Sequence, residues 1–155
     1  MSKREPVLPP LIPELFVSNI EKSKQFYCDV LGFEIAYERS EYKFIAVHLH
    51  GAYFMLEQID EFYAVTEDEF IKERQWRTGE LKYPFGRGMN FLINSPDCRV
   101  EHQRLLDNGY PIQFPIEERS YRVGSEMVGV RQFLVMDPDG FLIRFDTDLE
   151  IKPIK

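Results

Sequence analysis

The chain has 155 residues, of which 44% are hydrophobic, and this is enough for one domain with a single core. Its formal net charge of −7 argues against nucleic acid or an anionic membrane as a partner, because both need a basic surface. The two cysteines have no CxxC spacing, so neither a disulfide framework nor a zinc knuckle is predicted. Because no apolar run reaches membrane-spanning length and no signal peptide is evident, we expect a cytoplasmic protein.

The first half of the chain alternates between strand and helix signals. The proline-rich segment 7–13 (VLPPLIP) blocks a helix, and residues 14–17 (ELFV) predict a strand. A helix follows, capped by either Ser18 or Asn19 and ended by Gly32. Its order is therefore βαβββ, because three alternating runs come next, at residues 33–39, 42–50 and 52–59.

The second half repeats this order after a polar connection at residues 60–87. A strand is predicted at 88–94, then a helix within 95–109 that Ser95 begins and Gly109 ends. Further strands are predicted at residues 110–123, 130–136 and 141–146, the last two joined by the turn 137–140.

The two halves form a diverged internal repeat. LGFEI (31–35) matches NGYPI (108–112), and this offset of 77 places Ile12 on Met89; an offset of 87 places Glu57 on Arg144. The sequence therefore predicts an α+β fold in which two βαβββ modules form a curved, open barrel around one crevice. The predicted parts are module one at 12–59, a connection at 60–87, module two at 88–146 and a tail at 147–155.

Long segments of the chain resemble a known superfamily. PELFVSNIEKSKQFYCDVLGFEI and GVRQFLVMDPDGFLIRF resemble the opening and closing segments of vicinal-oxygen-chelate proteins, which include glyoxalase I, extradiol dioxygenases, and fosfomycin- and bleomycin-resistance proteins. FMLEQ, YPFGRGMNF and EERSYRVG are most similar to the bleomycin-resistance branch. The resemblance covers residues 12–146 and implies the glyoxalase/bleomycin-resistance fold.

The resemblance also implies where a metal would bind. Metalloenzymes of the superfamily take ligands from four positions, which fall here on Ile12, Glu57, Met89 and Arg144. One carboxylate makes a poor site, and the permanent cation of Arg144 repels a metal. We therefore expect no metal and no cofactor, and a non-enzymatic protein that binds and sequesters a bulky cationic or aromatic small molecule, in the manner of bleomycin resistance and antibiotic sequestration.

Two alternatives stay open. One is a metal-dependent glyoxalase-type lyase or isomerase, or a dioxygenase, with ligands at other positions, such as Glu57 with His48 or His50. The other is a module without a ligand that binds another protein by a sheet edge. For Arg144, the hypothesis is an ion pair with Glu57 across the crevice, and the alternative is that each has its own local partner.

Strand alternation gives a set of candidate ligand-binding residues. Even-numbered positions of the run 42–50 face the crevice if the odd ones face the helices. Trp76 either covers the ligand or anchors the connection, and the inserted segment 118–132 is either a mobile flap or a plain charged hairpin. The predicted set is Phe44, His48, Tyr53, Glu57, Trp76, Met89, Phe91, Tyr121, Arg122 and Arg144.

The expected assembly is a homodimer. The proline-rich arm 6–13 is predicted to cross to the partner chain, because an extended first strand with a stiff hinge favours exchange. A disordered tail is the alternative for this arm. The predicted partners are thus a small-molecule ligand and a second copy of the chain, with no nucleic acid and no membrane.

Overall fold

The computed structural model describes residues 8–59 and 79–154. Within this part of the chain, no helix is long and apolar enough to span a bilayer. The elements are β1 (Glu14–Val17), α1 (Ile20–Lys24) continued by a π-helix (Gln25–Val30), β2 (Glu34–Arg39), a 3-10 turn (Ser40–Tyr42), β3 (Phe44–Leu49), β4 (Ala52–Gln58), β5 (Asn90–Asn94), α2 (Cys98–Asp107), β6 (Phe114–Val123), β7 (Glu126–Met136) and β8 (Leu142–Pro153).

The strands form two four-stranded sheets with the same order. Sheet one runs β1-β4-β3-β2 and sheet two runs β5-β8-β7-β6. In each sheet the strand that comes first in the chain pairs in parallel with the strand that comes fourth, so β1 is parallel to β4 and β5 is parallel to β8. The remaining pairs are antiparallel. The predicted α+β fold of two βαβββ modules is confirmed.

The first helix is one residue longer than the second, and this changes the repeat alignment. The N-caps Asn19 and Asp97 are 78 positions apart, whereas the left-handed glycines that follow the helices, Gly32 and Gly109, are 77 apart. The π-helix Gln25–Val30 holds the additional residue as a wider turn. The offset of 77 is therefore wrong before the helix, and the counterpart of Ile12 is Asn90 rather than Met89.

The helix starts resolve the capping alternatives. The Asn19 side chain accepts a hydrogen bond from the Lys22 N–H at 3.1 Å, so Asn19 and not Ser18 is the first cap. The second helix begins two residues later than predicted, because Asp97 rather than Ser95 caps it by accepting from the Arg99 N–H.

Sheet register also corrects the overlay of Glu57 on Arg144. Glu57 pairs with Phe16 in sheet one, and the residue 78 positions after Phe16 is Asn94, which pairs with Asp146. The counterpart of Glu57 is therefore Asp146. By the same register Glu14, paired with Met55, corresponds to Leu92, paired with Arg144. The predicted overlay is wrong by two residues.

One hydrophobic core joins the two modules. The Phe54 and Phe91 rings, from different sheets, lie 5.3 Å apart, and the Tyr27 hydroxyl donates to Asp137 Oδ2 at 2.7 Å. Asp137 lies in the turn before β8, and its Oδ1 accepts from the Asp139 and Phe141 N–H groups. Burial raises the pKa of Asp137 to about 6, although these hydrogen bonds oppose the shift.

A second polar contact links the modules near the surface. Nε2 of His50 lies 2.8 Å from Oε1 of Glu101, a buried carboxylate on α2. The hydroxyl of Ser95 donates to the same carboxylate, with distances of 3.1 and 3.0 Å to its two oxygens. These contacts satisfy a buried charge that is costly to leave unpaired.

The last three strands extend beyond the body of sheet two. The turn at Gly124 joins β6 to β7 in a hairpin, and β8 continues to Pro153, where it pairs with Glu126. The strand predicted at 141–146 is thus longer, and residues after 146 continue it. The insertion forms a regular three-stranded extension, as the hairpin alternative predicted.

Candidate ligand-binding faces

Each sheet has one face toward the shared core and one face away from it. In sheet one, Ile45, Val47 and Leu56 are in the core, as alternation predicted. The opposite side, here called the sheet-one face, has a separate buried cluster made of Phe44, Ala46 and Tyr53, with Ile12, Ala36, Tyr37 and Met55 packed against it.

Aromatic rings dominate the sheet-one face. The Tyr37 and Phe44 rings stack 5.7 Å apart at 29°, and the Arg39 guanidinium lies 4.9 Å from the Phe44 centroid. His48 and Tyr53 stack 6.2 Å apart at 12°. The Tyr53 hydroxyl is buried and has no hydrogen-bond partner among the residues that the structure describes, so this face combines stacking surface with an unused polar group.

Three residues that were predicted to face the crevice lie elsewhere. Phe91 packs into the core against Phe54, because the one-residue error in the repeat reversed the side assigned to its strand. Met89, on the same side by alternation, precedes β5 and is 48% exposed. His50 lies in the turn after β3 with φ 53°, next to Glu101, so it does not share a strand face with His48.

The side of sheet two opposite the core, here called the sheet-two face, is organised around Arg144. Across four strands, Leu92, Arg144, Leu134 and Phe114 are register neighbours and form one row. Leu92 is 51% exposed and Phe114 is 55% exposed. Nε of Arg144 is buried, yet no atom of residues 8–59 or 79–154 forms a hydrogen bond with it.

Polar side chains form the next row of the sheet-two face. Asn94 donates to Asp146 Oδ1 at 3.0 Å, and Gln132 donates to Glu117 Oε1 and to the Tyr121 hydroxyl at 3.1 and 2.6 Å. Tyr121 was predicted in the site, but Gln132, which donates a hydrogen bond to the Tyr121 hydroxyl, was not. The alternation of RQFLVM around Phe133 was the available signal for Gln132.

Arg122 does not join Tyr121 on this face. Successive strand residues point to opposite sides of a sheet, and Arg122 donates from Nε to the Gly124 carbonyl at 3.0 Å. It stabilises the hairpin turn. Trp76 lies outside the described residues.

The predicted Glu57–Arg144 ion pair is not formed within the chain. Among ion pairs between residues of the described ranges, none joins these two side chains. Both sheets turn their other faces toward one shared core, so Glu57 and Arg144 lie on faces directed away from it. The hypothesis of a crossing pair is wrong for a single chain.

The donors at the superfamily's ligand positions do not fit a divalent metal. The corrected repeat gives Ile12 and Asn90 on the first strands, and on the last strands either Met55 with Arg144 or Glu57 with Asp146. An alkyl group, an amide and a guanidinium cannot replace imidazole or carboxylate ligands. In the described part of the chain, no cluster of three or more His, Cys, Asp or Glu residues has metal-binding geometry.

A groove of ≈ 430 Å³ lies between α2 and the β6–β7 hairpin, but its charges are paired. Arg131 contacts Glu118 at 2.7 Å, and Arg99 contacts Asp97 at 2.8 Å. This groove therefore offers less unmet polar chemistry than the two sheet faces.

Comparison with known proteins identifies the family. The model of the Glyoxalase/Bleomycin resistance protein/Dioxygenase superfamily matches residues 11–145, and the chain belongs to this superfamily. A bleomycin resistance protein from Geobacillus stearothermophilus is 28% identical over 137 residues, covering 86% of this chain and 92% of the relative. A Staphylococcus aureus bleomycin resistance protein matches equally well.

Solved structures share the fold across different functions. TioX from Micromonospora sp. ML1 aligns with a TM-score of 0.62 at 19% identity, covering 90% of this chain and 98% of that chain. Lactoylglutathione lyase from Agrobacterium tumefaciens aligns at 0.57 and 14% identity, covering 92% and 95%. An enzyme thus has the same scaffold, and the fold alone does not decide the function.

Proposed function

We propose that this protein binds and sequesters a bulky aromatic or cationic small molecule, as a bleomycin-resistance-like binding protein without catalytic activity. The observation that carries the proposal is the sheet-one face, where stacked rings surround a buried and unsatisfied Tyr53 hydroxyl. Aromatic faces stack flat ligands and attract cations, and the net charge of −7 adds a favourable field for a cation. The bleomycin-resistance relatives, at 28% identity over most of the chain, support the same class.

The proposed assembly is a homodimer, in which a large ligand contacts faces from two chains. The crossing of the arm to a partner also stays a prediction. Its last residues contact their own module: Ile12 packs on the Phe44 cluster, and the Pro13 carbonyl accepts from Met55 N–H at 2.9 Å. Any exchange therefore concerns residues before Ile12.

The test is calorimetric titration of the full chain with metal-free bleomycin, comparing wild type with Tyr53→Phe. Removal of a buried hydroxyl that lacks a partner should stabilise the free protein, because an unsatisfied donor is penalised. The same change should weaken bleomycin binding about 5-fold if the ligand satisfies that hydroxyl. The two effects have opposite signs, so general damage to the fold cannot imitate them.

Tyr83→Phe is the matched control, since it removes a hydroxyl from a ring that is 58% exposed and outside the cluster. Wild-type binding in the micromolar range or tighter, unchanged in Tyr83→Phe and weaker in Phe44→Leu, is the expected result. Absence of bleomycin binding, or equal affinity in wild type, Tyr53→Phe and Phe44→Leu, would refute the proposal for this face.

A further inference from the structure

Arg144 is a cation without a local counter-charge. It forms no hydrogen bond or ion pair with any residue in the described ranges, and its buried Nε lacks a partner. A partly buried guanidinium loses hydration that its surroundings do not replace. Such a group is stabilised by an additional acceptor.

Two acids on the same face accept hydrogen bonds from neutral side chains. Asp146, two residues along β8, accepts from Asn94, and Glu117 accepts from Gln132. Neither forms an ion pair with Arg144. Within the described residues, the polar row next to Arg144 is therefore internally hydrogen-bonded, whereas the guanidinium has unused donors.

Apolar side chains flank the guanidinium on both sides of its row. Leu92 lies on β5, Leu134 on β7 and Phe114 on β6, and the outer two are more than half exposed. A small inorganic anion would leave this apolar surface in water. An acceptor with a flat apolar body would cover it while meeting the cation.

We propose that the sheet-two face binds a small aromatic carboxylate, with the carboxylate on Arg144 and the ring system on Leu92, Leu134 and Phe114. This site lies on the other sheet from the aromatic cluster around Tyr53, so within one chain it is separate from the site proposed there. A planar guanidinium suits the ligand because it can donate two parallel hydrogen bonds to one carboxylate.

The test uses 2-naphthoate as the probe and 2-naphthylmethylammonium as its cationic match, each titrated into the full chain by calorimetry. Wild type should bind 2-naphthoate at least tenfold more tightly than the ammonium compound. Arg144→Gln should abolish this preference, and Arg144→Lys should restore part of it, since Lys keeps the charge but not the paired donors.

Arg122→Gln is the control, because this cation belongs to the hairpin turn and not to the proposed row; it should bind 2-naphthoate as wild type does. Leu92→Ala should weaken 2-naphthoate several-fold and leave acetate, a carboxylate without a ring, unchanged. Thermal unfolding of each variant, measured in parallel, verifies that the variants are folded.

Equal affinity of wild type and Arg144→Gln for 2-naphthoate would overturn the proposal. So would tighter binding of the ammonium compound. A third contrary result is a change of oligomeric state in Arg144→Gln, measured by light scattering, without 2-naphthoate binding by wild type; Arg144 would then meet a carboxylate of a second copy. The bleomycin affinity of Tyr53→Phe, compared with wild type, remains the separate test of the sheet-one face.

Discussion

The hydrogen bond from Tyr27 to Asp137 should make the effect of a single mutation depend on pH. Tyr27→Phe removes the donor at 2.7 Å from a carboxyl whose pKa burial raises to about 6. Above pH 6 the lost bond serves a charged acceptor, worth about 1.5–3 kcal/mol, and below it a neutral one, worth about 0.5–1.5 kcal/mol. The destabilisation should therefore be larger at pH 8 than at pH 4.5.

The sign follows from proton linkage. Because the pKa of Asp137 is higher in the folded state than its ordinary value of 3.8, the folded protein binds more protons between these values. Its contribution to the free energy of unfolding is thus present at low pH and falls as the pH rises toward and through 6. A difference of about two pH units corresponds to at most about 3 kcal/mol. In Tyr27→Phe this decrease in the free energy of unfolding should be larger, since a hydrogen bond that favours the charged form of Asp137 is lost.

Urea unfolding followed by circular dichroism at pH 4.5 and pH 8 measures the difference. Tyr42→Phe is the control, because the Tyr42 ring is 56% exposed, and its loss should be near zero at both pH values. Equal destabilisation of Tyr27→Phe at the two pH values, or greater destabilisation at pH 4.5, would contradict the assignment. In Asp137→Asn, the part of the pH dependence that belongs to this carboxyl should disappear.

Two further changes test the contacts between modules and the turn before β8. His50→Ala should lower the free energy of unfolding by about 1–3 kcal/mol, because it removes a partner of buried Glu101. In the Glu101→Gln background, the same His50→Ala change should cost much less. Urea unfolding measures both differences. Gly140→Ala should lower the melting temperature far more than Gly124→Ala. Both glycines have positive φ, but a Cβ at Gly140 would overlap Cβ of Pro84, whereas no atom of the described residues lies within 4 Å of a Cβ at Gly124. Similar melting temperatures for the two alanine variants would contradict the second expectation.

The inner strands β3 and β7 were predictable because each has one face in the core. Alternation in FIAVHL and RQFLVM identified β3 and β7, and it assigned Phe44 and Tyr53 correctly to the sheet-one face. The extension of β8 to Pro153 was not predicted, because both of its faces are largely exposed there and burial imposes no pattern on its residues.

The errors in the site have a different origin. Phe91 and Met89 were assigned to the crevice through a repeat offset of 77. This offset holds at the C-terminal ends of the helices but not before their N-terminal ends. The spacing from Asn19 to Gly32, compared with that from Asp97 to Gly109, contained the missing information. Nothing in the residues of Gln25–Val30 marks a π-helix, so local propensity could not have revealed it.

The π-helix has a consequence for how the two halves of such chains are compared. A single inserted residue leaves the helix ends and the core contacts in place, so neither half loses its fold. In a strand, however, neighbouring residues point to opposite sides of the sheet, so a shift of one residue exchanges the core side and the opposite side. An alignment of the halves without a gap inside the first helix exchanges these sides throughout β1 and β5. Searches for ancestral ligand positions in duplicated folds should therefore count residues between helix caps before matching strands.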